Sequence, residues 1–288
     1  MSLNELFNIQ NMTQEEAYEY ISLLFDGYLS RKRKRELYKE NDPVPRIILQ
    51  TYYYFVDDPR FDKMFATFKR KYIINENNLE QVHNAKERQG LGIVYDYIQN
   101  YVPDDNLNLF IIIRLHRLLF SKVDFPDFGG SFRKHNVYLP GSGVNLSDYD
   151  CIASDMTKLY LDSVSLFKTG LEIAESKDSS KLIPYINDCI KLNAEIIRIH
   201  PFGDGNGRVS RALTNLMFKL VDVPPVYVKV AERNEYGKAM NKALVDNDIS
   251  DLTTFYYYKI CDSIIDLEKE YKKDNINNLT KKKIKEKL

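Results

Sequence analysis

The residues best suited to chemistry lie in one stretch, His200-Pro201-Phe202-Gly203-Asp204-Gly205-Asn206-Gly207-Arg208-Val209-Ser210-Arg211. Gly203, Gly205 and Gly207 let the backbone turn so that several N–H groups face one point. A helix starting beside them, with its unpaired donors and its dipole, favours an anion at that same point. Arg208 and Arg211 are spaced i, i+3 and project from one face of the first helical turn. Asp204 is a hard oxygen ligand of the kind that holds Mg²⁺ across phosphates. His200, at the end of the preceding helix, is suited to act as general base towards a hydroxyl. A phosphate cradle, a metal ligand, two phosphate-pairing arginines and a base point together to phosphoryl or nucleotidyl transfer. No Walker loop occurs in the chain, and a helix rather than a strand precedes the glycines, so this is not a dinucleotide-binding turn.

The elements that must position these residues are mostly helical. Thr13 to Glu16 reads as a capping box, followed by apolar residues at a 3.6 period (Ala17, Tyr20, Ile21, Leu24, Phe25). Helical stretches follow at 47–56, 61–74, 82–98 and 107–123, with a break at 75–78; Gly90 and Gly92 weaken the third of these. Residues 124–147 are different: Pro126, Gly129, Gly130, Pro140, Gly141 and Gly143 bound a short extended run at 131–139, which reads as a β-hairpin on a helical body. Helices resume at 149–175, 183–199, 208–221, 232–245 and 251–271. The expected fold class is all-α with one small hairpin, closed by a Lys-rich tail.

Composition removes several classes of function. With 41 Lys+Arg against 41 Asp+Glu the chain is neutral, a poor general binder of polyanions. The basic block at residues 31–35 is most simply a cationic helix end. Three cysteines, without a CxxC pair, argue against a disulfide framework or zinc site and for a reducing compartment. No apolar run approaches the ~20 residues of a membrane span, and the N-terminus lacks the basic and apolar regions of a signal peptide. A cytoplasmic protein is expected, with no membrane and no DNA partner. His116, on an apolar helix, reads as a satisfied core histidine.

The string HPFGDGNGRVSR, residues 200–211, resembles the signature of the Fic family, HPFx(D/E)GN(G/K)RxxR, without a mismatch. Leu115-His116 with Leu118-Leu119 is similar to that family's core helix, residues 130–143 to its target-binding flap, and Glu235-Tyr236 through Phe255 to its following helices. The resemblance covers about residues 107–260. It implies a Fic-type helical bundle in three parts: a helical extension (1–106) carrying an inhibitory helix, a catalytic core (107–268) and a basic tail (269–288).

It further implies transfer of AMP from ATP, with Mg²⁺, to a Ser, Thr or Tyr hydroxyl of a target protein. His200 would be the base and Asp204 the metal ligand. Gly205, Asn206 and Gly207 would form the anion loop, Arg208 and Arg211 would hold phosphates, and Tyr236 would lie at the nucleotide. Gly207, rather than Lys, resembles the AMP-transferring branch. Val137 or Leu139 of the flap would clamp the target side chain. The family's self-inhibitory pattern, [S/T]xxxE[G/N], is matched best by Tyr72 to Asn77 with Glu76 as the inhibitory acid; the second candidate is Glu87. Removal of AMP, another nucleotide at the same site, and nucleotide-dependent regulation without turnover are the competing readings. A homodimer is compatible with all of them.

Overall fold

The structure, a computed structural model, describes residues 60–103, 110–176 and 178–266, with Thr13, Pro45 and Leu49 besides. Among these residues the α-helices are α1 (Arg60–Leu79), α2 (Ala85–Gln99), α3 (Ile111–Leu119), α4 (Ile152–Ser176), α5 (Leu182–Ile199), α6 (Asn206–Leu220), α7 (Arg233–Val245) and α8 (250–266). Among the described residues no helix is long and apolar enough to cross a membrane.

The core is built around α6, whose residues Arg208 to Phe218 are all buried. A helix enclosed on every side must satisfy its polar side chains internally. Asn215 does so twice against Val226, donating from Nδ2 to the carbonyl at 2.9 Å and accepting the N–H at 2.8 Å. The Thr214 hydroxyl donates to Ser210 O and accepts from Asn193 Nδ2. Alongside these, Leu213, Leu216, Met217 and Phe218 carry the apolar burial. α5 lies against α6 and is flanked by α4 and α7; α2 and α3 close another side of α6, and α1 packs on α2.

Gly90, in the middle of α2, is required by this arrangement. A Cβ there would stand 2.7 Å from the carbonyl carbon of Leu119, on backbone that no rotamer change can move. The helix therefore forms despite its glycines, because close approach to α3 outweighs their propensity cost of about 1 kcal/mol. Gly90→Ala is expected to destabilise the chain by about 1–3 kcal/mol through overpacking, read as a lowered denaturation midpoint.

Three expectations are corrected. The break at 75–78 is absent: α1 runs through it to Leu79. Asn75 and Asn77 donate their amides to the carbonyls four residues back, Lys71 O and Ile73 O, so the poor helix formers bond along the helix instead of ending it. The hairpin at 131–139 does not form a ladder; no residue between 131 and 148 is in a paired strand. Its backbone is held instead by the side chains of Arg133 and Asn136, the latter bonding Asp148 and the N–H of Tyr149. The helix expected at 107–123 is shorter than read: α3 ends at Leu119, and Ser121 turns its hydroxyl back onto Leu118 O. The helices expected after Thr13 and at 47–56, and the tail at 269–288, fall outside the described residues, except that Leu49 is helical and buried.

Candidate active site

α5 ends at Ile199, and His200 takes a left-handed conformation (φ 49°, ψ 57°) that swings the chain out of the helix. This conformation costs a non-glycine residue roughly 1–2 kcal/mol, and Arg133 offsets it. Arg133, 5% exposed, donates from its guanidinium to His200 O at 2.7 Å, to His135 O at 2.8 Å and to Ser147 O, while its backbone N–H bonds Pro201 O at 2.9 Å. Carbonyls left over at the end of α5 thus find a charged donor. Arg133 also staples the extended 131–147 segment to the base of the loop.

The loop then closes on itself. Asn206, the first residue of α6, accepts the Phe202 N–H at 2.9 Å and donates to Phe202 O at 2.8 Å. Both polar ends of the Asn206 amide are occupied in this way. The Phe202 ring is fully buried and stacks on His116, with centroids 3.8 Å apart and planes 10° from parallel. His116 accepts the Gly130 N–H at Nδ1 (2.7 Å), so its Nε2 carries the proton and donates to Asp204 O at 3.0 Å. Burial pushes its pKa down to about 4, which keeps the ring neutral. Gly205, at φ +78°, turns the chain into α6 with no room for a side chain, since a Cβ would lie 2.9 Å from the Phe120 ring.

His200 and Asp204 face this turn from either end. The Nδ1 of His200 is 3.3 Å from Ile197 O. A carbonyl only accepts, so Nδ1 is the donor and Nε2 holds the free lone pair. Burial lowers the pKa of the imidazole, only partly countered by that backbone bond, and the ring is neutral at neutral pH. Asp204 accepts the Gly205 N–H at Oδ1 (2.6 Å) and keeps 60% of its side chain exposed.

Both arginines are engaged by acids from the preceding helices. Arg208, fully buried, meets Glu87 of α2 at 2.6 Å and Asp204 at 3.4 Å. Arg211 meets Glu76 of α1 through Nε at 2.6 Å and Glu80 through Nη2 at 2.5 Å. Glu76 is wholly buried, which raises its pKa against the pull of Arg211. Burial acts to raise Glu80 too, but Arg211, with Arg208 and Arg233, holds it below the ordinary carboxylate range. The buried Tyr236 ring lies 5.7 Å from the Arg211 guanidinium.

Of the residues expected at one site, the structure brings together His200, Asp204, Gly205, Asn206, Gly207, Arg208, Arg211, Tyr236 and Glu76. Glu87 reaches Arg208, not Arg211. Val137 and Leu139 lie apart on the extended segment, half-buried on either side of Tyr138, which is 84% exposed. Sequence reasoning missed Glu80 and Arg133. Glu80 was discoverable as the acid one helical turn beyond Glu76, whereas the distant carbonyls that Arg133 serves leave no local signature.

Residues 106–218 match the model of the Fic/DOC family. Over 163 residues the chain is 31% identical to "Protein adenylyltransferase Fic" of Drosophila yakuba, covering 54% of this chain and 29% of that protein. The Drosophila virilis protein of the same name matches at 31% over the same length, 30% of its own chain. The matched segment thus spans less than a third of these relatives. In fold the chain is similar to a Fic domain-containing signaling protein from Bacteroides thetaiotaomicron (TM-score 0.57, 18% identity, 72% of this chain and 89% of that one). It is likewise similar to Fic-1 of C. elegans (TM-score 0.59, 18% identity, 78% and 70%). The loop from His200 to Arg211, with α5 and most of α6, therefore lies within the segment that matches the Fic/DOC family model.

Proposed function

We propose that the chain is a protein adenylyltransferase, moving AMP from ATP to a hydroxyl of a target protein. The observation that carries this reading is the convergence of a neutral imidazole with a free Nε2, an exposed carboxylate and two buried guanidinium groups on the N-terminus of α6. In this reading His200 Nε2 takes the proton of the target hydroxyl. The hydroxyl oxygen bonds to the α-phosphorus, and the bond from that phosphorus to the β-phosphate oxygen breaks, releasing pyrophosphate. The N–H groups of the first turn of α6, with Arg208 and Arg211, hold the phosphate oxygens where negative charge grows.

Asp204 suits Mg²⁺: one oxygen is fixed by Gly205 N–H, the carboxylate is open to solvent, and this ion binds through one or two carboxylates plus substrate phosphates. When bound, the ion would neutralise phosphate charge at that carboxylate.

Residues 130–143 serve as the target-docking segment, with Val137 or Leu139 against the target side chain. Tyr236 acts from beneath Arg211 rather than as an open base-stacking surface, given its burial. The ion pair of Arg211 with Glu76 supports a self-inhibited resting state, with Glu76 as the inhibitory acid. Residues 107–268 then act as the catalytic core and 1–106 as the extension that restrains it. Incubation with Mg²⁺ and either [α-³²P]ATP or [γ-³²P]ATP tests the reaction: label is expected on protein from the α position alone. Label from the γ position would make the chain a kinase.

A further inference from the structure

The end of α1 carries an acid that neither the family signature nor the inhibitory pattern includes. Glu80 follows the last residue of α1, and its carboxylate accepts from Arg211 Nη2 at 2.5 Å. The same oxygen, Oε1, lies 2.5 Å from where a Cβ on Gly207 would stand. Glu80 therefore rests against the backbone of the first turn of α6, in the space that the missing side chain of Gly207 leaves open. Glu76 holds a different edge of the guanidinium, at Nε, and is wholly buried. Of the two acids, only Glu80 both covers the helix N-terminus and keeps solvent access, with 35% of its side chain exposed.

Its position is unfavourable on local grounds. An acid at the C-terminal end of a helix meets the negative pole of the dipole and the unpaired carbonyls. Its own N–H reaches Glu76 O only at 3.4 Å, and the next residue, Gln81, is already left-handed at φ 58°. Arg233 spans the helix end instead, donating to Asn78 O at 2.9 Å and to Leu79 O. What retains the Glu80 carboxylate is the positive ground that a phosphate would seek.

We propose that Glu80 is a built-in anion occupying the phosphate cradle between Gly207 and Arg211, and that incoming nucleotide must displace it, while Glu76 stays in place and holds the guanidinium from below. This rests on reading the cradle as a nucleotide site, and it divides the inhibitory contact into a fixed part and a movable part. A cradle that its internal carboxylate leaves free about one-tenth of the time binds ~10-fold more weakly than an open one.

The test is calorimetric binding of inorganic pyrophosphate and of Mg²⁺-ATP to the full chain and to Glu80→Ala, Glu80→Asp and Glu76→Gln. Glu80→Ala is expected to bind both probes about tenfold more tightly than the unaltered chain. Glu80→Asp, which keeps the charge but draws it back from Gly207, is expected to tighten binding as well; a simple field effect would leave it unchanged. Equal affinities for Glu80→Ala and the unaltered chain, or tightening in Glu76→Gln alone, would overturn the proposal. Tighter binding by Glu80→Ala with no label transfer from ATP would uphold the proposal and sink the AMP-transfer reading. Failure of every variant to bind either probe would remove the phosphate site and this proposal together.

Discussion

Replacing His200 by Ala is expected to lower label transfer from ATP by about 10²–10⁴-fold, the ordinary contribution of a general base, while leaving nucleotide affinity unchanged. The separation follows from the proposed roles, in which the arginines and the N-terminus of α6 hold the phosphates without the imidazole. Nδ1 is engaged by Ile197 O, so only Nε2 is free to accept a proton. Because burial lowers the pKa of His200, the acidic limb of the rate profile is expected below the ordinary value of about 6.5. Activity is lost as pH falls through that lowered value, where the ring becomes protonated. In the same window an unfolded chain binds more protons at this residue than the folded one, so stability also declines as pH falls. A rate unchanged by His200→Ala, or a limb above 6.5, would place the base elsewhere.

Arg211→Ala is expected to lose label transfer and to cost about 3–5 kcal/mol of stability, the range for removing one partner of a buried ion pair. Arg211 is 4% exposed at its side chain and Glu76 0%, so truncation leaves a buried carboxylate with no countercharge. Adding Glu76→Gln is expected to recover much of that stability but none of the transfer. Burial already raises Glu76, and removing Arg211 raises it further. A carboxyl raised in the fold stabilises below its unfolded pKa and loses that contribution as pH rises through the folded value. The deficit of Arg211→Ala is therefore expected to grow with pH. Urea denaturation of the single and double variants across pH reads both effects, and an additive double variant would show that the two residues do not share this contact.

Much of the fold is legible in the sequence, for reasons that differ by element. α5 and α6 are long, strongly periodic and bounded by Pro201 and a run of glycines, so their junction and the residues that meet on it could be read directly. The segment at 75–78 could not: its three asparagines read as a stop, and what keeps them helical is bonding to Lys71 and Ile73 and the ion pairs that Glu76 and Glu80 make with α6. Within the stretch at 131–139 burial alternates as in a strand only around Tyr138, with Val137 and Leu139 inward of their neighbours. The stretch pairs with no strand because Arg133 satisfies carbonyls across 66 and 67 residues of chain. Local pattern carries propensity and period; a guanidinium serving distant carbonyls lies outside both.

The two-way bond between Asn206 and Phe202 bears on the timing of ligand capture. A loop held by its own amide, stacked on His116 and turned at Gly205, has its donors aimed before anything arrives. Little ordering entropy is then left to lose on association, and such a site needs no rearrangement of the loop. Entry is limited instead by whatever stands over the loop. On the proposal made for Glu80, the half-life of the closed form is set at the C-terminal end of α1, some 120 residues earlier in the chain. Substitutions there should alter how quickly nucleotide is captured while the rate of the chemical step, set at His200, stays the same.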